Sequence, residues 1–137
     1  MAVESRTRGV DHVGLTVRNL ADTRDFFIDC LGWEQVGEKP EYPAIFVSDG
    51  YARLTLWEVK NLEHVVAFDR KSNIGLHHLA IKVESPDALD DIFHRVSNWP
   101  GVQVEFMPEP LGKGPKTHTM IYEPGGIRIE FNYAPGV

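Results

Sequence analysis

The sequence predicts an α+β fold of two paired βαβββ modules, their sheets forming an open-sided β cup with the helices outside. Three observations carry this prediction: an internal repeat, strict apolar and polar alternation at the start of each copy, and helix signals directly after each of those strands. The stretch Val10-Asp-His-Val-Gly-Leu-Thr-Val17 returns as Leu76-His-His-Leu-Ala-Ile-Lys-Val83. At that offset of 66, His12 falls on His78, Leu15 on Ile81, Val17 on Val83, Phe27 on Phe93 and Trp33 on Trp99. Farther on the match resumes at an offset of 75, where Phe46 falls on Ile121 and Arg53-Leu-Thr-Leu56 on Arg128-Ile-Glu-Phe131. The second copy thus carries about nine extra residues around 109–116, and their Gly and Pro content reads as a mobile, lid-like loop.

In the first copy, alternation over 12–17 gives a strand with Val13, Leu15 and Val17 on the core face and His12, Gly14 and Thr16 on the other. Residues 19–31 read as one helix, closed by Gly32 as a left-handed cap. The second helix is marked by Ser85-Pro86-Asp87, which supplies an N-cap, a proline at the first position and an acidic first turn. Leu89, Ile92, Phe93 and Val96 form its apolar stripe, and Pro100-Gly101 ends it. Three strands follow in each half, at 33–36, 44–48 and 52–59, then at 102–107, 117–122 and 127–133. The organisation is a loose tail over 1–8 and a single domain over 9–137, with module 1 at about 9–59, a connection at about 60–75 and module 2 at about 76–133.

A chain of 137 residues, 42% hydrophobic and 25% charged, buries enough surface for a core without staples. Fourteen basic against 20 acidic residues leave a net charge of −6, which argues against nucleic acid or an anionic membrane as partner. No apolar run approaches a membrane span, and no apolar leader opens the sequence. With Cys30 as the lone cysteine, a core thiol in a reducing compartment, the expected location is cytoplasmic. Six histidines are the chemical feature to place.

Strand parity places them. His78, Ala80 and Lys82 share the helix-free face of their strand, as do Arg128, Glu130 and Asn132 of the last strand. If the modules pair about a pseudo-twofold, His12, His78 and Glu130 converge in the cup. Two imidazoles and a carboxylate hold a divalent metal while leaving positions for a substrate or O₂. Thr55, Trp57, Lys82, Met120 and Arg128 are candidate substrate-binding residues on the same faces. His118 and Tyr122 share the face of Met120 and are candidates for an acid/base or hydrogen-bonding role. A bulge would let His77 replace His78. Glu58 reads as a solvent-facing strand end, and His64 and His94 as surface residues.

The His-Val-Gly-Leu-Thr-Val start, the Leu-Gly-Trp after the first helix, the His-His-Leu-Ala-Ile-Lys-Val repeat and the closing Glu-Pro-Gly-Gly-Ile-Arg-Ile-Glu-Phe together resemble the vicinal oxygen chelate superfamily. That superfamily groups glyoxalase I, methylmalonyl-CoA epimerase, extradiol dioxygenases, and fosfomycin- and bleomycin-resistance proteins. The resemblance spans roughly residues 9 to 133. It implies one divalent metal (Fe, Mn, Zn, Ni or Co), a small-molecule substrate chelating it through adjacent oxygens, and a homodimer. The ligand positions it implies are His12, Thr55, His78 and Glu130. Thr55 departs from the pattern, because glyoxalases carry a second Glu there and the epimerase a Gln. Met120 stands where extradiol dioxygenases place a Tyr.

The expected function is therefore a metal-dependent enzyme of the glyoxalase, bleomycin resistance and dioxygenase type, with dioxygenase-like, lyase/isomerase and transferase chemistry all open. The alternative is a metal-free protein of the bleomycin-resistance type that binds or sequesters a small molecule. The cup can close within one chain, or across two so that His12 of one chain faces His78 and Glu130 of the other.

Overall fold

The structure, a computed structural model, describes residues 2–136 and contains two four-stranded mixed sheets. The first module is β1 (Val13–Val17), α1 (Leu20–Asp25), β2 (Glu34–Lys39), β3 (Ala44–Ser48) and β4 (Arg53–Glu58). The second is β5 (Leu79–Lys82), α2 (Pro86–Ser97), β6 (Gln103–Pro110), β7 (Thr117–Tyr122) and β8 (Arg128–Tyr133). Strand orders are β1-β4-β3-β2 and β5-β8-β7-β6. In each sheet the first strand pairs in parallel with the last, a pairing that places β1 beside β4 and β5 beside β8. The remaining pairs are antiparallel. Both sheets are open, as the alternation and repeat predict.

Asn19 starts α1 by accepting the Asp22 N–H, and Ser85 starts α2 by accepting the Ala88 N–H. The helix expected over 19–31 is not one helix. After Asp25 the chain widens into a π turn, Phe26–Cys30, in which the Leu31 N–H reaches the Phe26 carbonyl. Phe26 and Phe27 are both fully buried, their rings packed edge to face at 5.3 Å. Glu58 is also not a free strand end: its Oε2 accepts the Leu20 N–H at 2.8 Å and so satisfies one of the open donors of α1.

One contiguous core joins the modules. It holds Leu15, Val17, Phe26, Phe27, Leu54 and Leu56 from the first and Leu89, Val96, Ile121, Ile129 and Phe131 from the second. A buried polar link crosses the same boundary: Glu123, in the turn after β7, accepts the Thr23 hydroxyl at 3.0 Å and the Ile127 N–H at 3.2 Å. Burial pushes the Glu123 carboxyl above its ordinary range despite these hydrogen bonds.

The repeat is offset differently from what the sequence suggests. Phe46 pairs with Thr55, and Met120 pairs with Glu130, so the counterpart of Phe46 is Met120 and not Ile121. The turn 123–127 is one residue longer than the turn 49–52, and a one-residue slip exchanges the faces of a strand. Val47 and Ile121, true counterparts, are both fully buried. Strand β6 runs past its expected end at 107 to Pro110, which leaves 111–116 as a hairpin tip closed by the Leu111 N–H on the Lys116 carbonyl.

Candidate metal centre

The helix-free face of module 2 gathers its polar residues around Glu130. Ala80 of β5 and Met120 of β7 flank Glu130 in register, and His78 stands just ahead of β5. Glu130 is 7% exposed and His118 9%. The His118 Nδ1 donates to Glu130 Oε2 at 2.8 Å, with the Phe106 ring 4.8 Å from the imidazole, while the His78 Nε2 lies 3.2 Å from Glu130 Oε1. His64 and His94 are exposed, and Cys30 is a buried free thiol.

The hydrogen-bond network assigns the tautomers. A guanidinium only donates, so Arg128 Nη1, 3.3 Å from His77 Nδ1, makes that nitrogen an acceptor. The His78 Nδ1 lies 2.8 Å from the same atom and must therefore carry the hydrogen. In neutral His78 the Nε2 is then a bare lone pair facing a carboxylate oxygen. Two acceptors at this separation call for a second hydrogen on the imidazole or for a cation between them, and the centre can hold either. The spacing fits a cation: ligand atoms at 2.0–2.2 Å from an ion and at right angles about it lie about 3 Å apart. Burial and the neighbouring Arg128 charge hold the His77 imidazolium below its ordinary range, which keeps the acceptor role open.

His12 is not part of this cluster. It lies just before β1, exposed, with its Nδ1 2.6 Å from the Asp11 carboxylate. Among the described residues no group of three His, Cys, Asp or Glu is placed to hold one ion, and none of the cavities of 870, 380 and 170 Å³ is lined by His12, Thr55, His78 or Glu130. Among the described residues His12 is thus not gathered with His78 and Glu130 into one site within a single chain.

The other candidate residues divide by surroundings. The Thr55 hydroxyl, 4% exposed, accepts the Trp57 indole N–H at 2.8 Å, and Trp57 packs against Tyr42 and Phe46. Met120 is buried beside Glu130. Lys82 is exposed at the outer end of edge strand β5 and lines a cleft with Trp33 and Asp49, away from Glu130. Arg128 grips Glu105 through Nε and Nη2 at 2.8 and 2.7 Å. Tyr122 donates to Glu105 at 3.0 Å and accepts from Arg70 at 2.8 Å, so both functions of its hydroxyl are engaged. The Arg128 hydrogen bonds are the main cause that holds Glu105 down to about 2, and Glu105 in turn raises Arg128.

The sequence matches the Glyoxalase/Bleomycin resistance protein/Dioxygenase superfamily over residues 9–131. The chain belongs to this superfamily. Its fold matches a glyoxylase/bleomycin resistance protein/dioxygenase domain from Frankia sp. EAN1pec, with a TM-score of 0.80, 24% identity and 96% of each chain covered. A lactoylglutathione lyase from Agrobacterium tumefaciens is similar at a TM-score of 0.71 and 17% identity, covering 97% of this chain and 100% of that one. A genomically encoded fosfomycin resistance protein from Listeria monocytogenes is similar at a TM-score of 0.72 and 17% identity, covering 95% of this chain and 96% of that one. Among curated proteins no sequence matches.

Two polar residues of this superfamily member escape strand parity. Glu105 falls inside a register shift of β6, between Val104 and Phe106, so alternation counted from the strand start cannot place it. Arg70 lies in the connection, where no periodicity exists to read. Its arrival at Tyr122 depends on tertiary packing alone.

Proposed function

We propose that the chain is a metal-dependent enzyme acting on a small molecule with adjacent oxygens, and that its centre is composite: His78 and Glu130 of one copy with His12 of a second. The observation that supports this is the His78 Nε2 facing Glu130 Oε1 at 3.2 Å, two metal-ligand atoms side by side on one face. His12 is exposed and outside the cluster within its own chain, which leaves it free to serve a neighbour. A divalent cation bound there supplies Lewis-acid polarisation of the substrate oxygens. His118 holds Glu130 by one oxygen and leaves the other turned to His78. Phe106 over His118 and buried Met120 keep water from that side of the carboxylate. Thr55 takes no part as a ligand on this reading, because its hydroxyl is bound by Trp57.

The test is metal content and subunit mixing. Stripped protein reloaded with Mn, Fe, Co, Ni or Zn is expected to bind one ion per chain and to migrate as a dimer. His12→Ala and Glu130→Ala should each lose that ion. Co-expressed with each other, the two variants should recover one site per mixed dimer, since the intact His12 and the intact Glu130 then meet. Unchanged metal content in both single variants, or no recovery in the mixed dimer, overturns the composite centre.

A further inference from the structure

A second imidazole stands behind the ligand pair. His77 directly precedes His78, and the two rings meet nearly edge to face, with centroids 5.0 Å apart and planes at 72°. His77 is exposed, and its Nδ1 lies 2.8 Å from the His78 Nδ1 and 3.3 Å from Arg128 Nη1. The guanidinium on its far side is itself fixed. Arg128 grips Glu105 through Nε and Nη2 at 2.8 and 2.7 Å, its side chain is only 10% exposed, and Nη1 is the nitrogen turned to the histidine.

Neutral His78 has one hydrogen and two nitrogens to carry it. Left to its other neighbour, that hydrogen belongs on Nε2, because Glu130 Oε1 lies 3.2 Å away and a carboxylate accepts strongly. A hydrogen there would sit on the atom that must offer its lone pair to an ion. The contacts on the opposite side of the ring work against this outcome. Arg128 can only donate, so it holds His77 with its Nδ1 as an acceptor and its own hydrogen on Nε2, and the same Nδ1 faces the His78 Nδ1. We infer that His77, held by Arg128, is a positioning residue that keeps the His78 hydrogen on Nδ1 and leaves Nε2 open to the ion. An acceptor behind a ligating imidazole fixes both its tautomer and its ring orientation, and here a second imidazole fills that place. This rests on the metal reading for its purpose, while the tautomer is a property of the metal-free chain.

Nitrogen NMR of the histidines in metal-stripped protein, at about pH 8 where an ordinary imidazole is neutral, reads the tautomer directly. Wild type should carry the His78 hydrogen on Nδ1, the signal being identified by its loss in His78→Gln. His77→Leu offers no acceptor and should move that hydrogen to Nε2. His77→Asn, whose Oδ1 is as many bonds from the backbone as the imidazole Nδ1, should keep it on Nδ1. Zinc affinity, read by competition with a chelator, should fall about 10- to 100-fold in His77→Leu and stay near wild type in His77→Asn. A role in packing alone would leave the tautomer the same in all three proteins. A His78 hydrogen on Nε2 in wild type, alone or together with one on Nδ1, overturns the inference, and so does one tautomer or one zinc affinity shared by wild type and His77→Leu. If zinc binds while the tautomer pattern fails, the role of His77 alone falls; if the pattern holds while wild type takes up no zinc, the metal centre falls and the hold of His77 on His78 stands.

Discussion

Modules 1 and 2 place Thr55 and Glu130 at the same point of the same topology, facing Phe46 and Met120 across the sheet. Around Thr55 the face is filled by aromatic rings. Gly37 gives way to the Phe46 ring, which a Cβ there would meet at 2.7 Å, and Gly14 gives way to the Thr55 hydroxyl, which its Cβ would meet at 3.1 Å. Around Glu130 the same two positions carry Phe106 and Ala80, and the imidazoles of His118 and His78 reach the central side chain instead of rings packing over it. Duplication thus supplies two equal frames, and a few changes of side-chain size make one an aromatic wall and the other a polar site. The difference lies in which neighbours reach the central side chain, not in the backbone.

Replacing the neighbours separates the two roles. His118→Phe removes the group that orients Glu130 and is expected to weaken metal affinity about 10- to 100-fold, read by competition with a chelating dye. Thr55→Val, the matched change in module 1, should cost about 1 kcal/mol of stability by leaving the Trp57 N–H without its acceptor, and should leave metal affinity unmoved. Equal effects of the two variants on metal binding would erase the distinction between the faces.

Two smaller effects are expected from carboxylates that lie to either side of this contrast. The Glu123 carboxyl is raised by burial, so its contribution is fully present below its ordinary value of 4.5 and is lost as pH rises through the elevated value. Glu123→Gln should therefore melt higher than wild type at neutral pH and flatten the profile above 4.5. Glu105 has the opposite sign. Held at about 2 by Arg128, it stabilises above its ordinary 4.5, and that contribution drains away as pH falls from 4.5 toward 2. Glu105→Gln should remove this acid-side slope from melting curves.

Much of this contrast is legible in the sequence, because it follows from strand parity. Alternation puts His78 and Glu130 on one face, Ser85 and Pro86 announce α2, and the repeat defines the βαβββ unit. What escapes does so for physical reasons. The π turn at Phe26–Cys30 is a tertiary answer to burying two adjacent phenylalanines, with no change in local composition to mark it. The one-residue difference between the turns 49–52 and 123–127 is masked by similar glycine-containing sequences, so matching letters misplaces Phe46 by one position. Glu105 and Arg70 reach Tyr122 through a bulged strand and an aperiodic connection.

The separation of His12 from His78 and Glu130 within a chain has a consequence for how the protein would behave in a cell. On the composite reading a competent centre exists only while two chains are together, so the number of active sites follows mass action and not simply the amount of protein. Specific activity would fall on dilution below the dissociation constant of the pair, and the abundance of the chain itself would act as a threshold control on its chemistry.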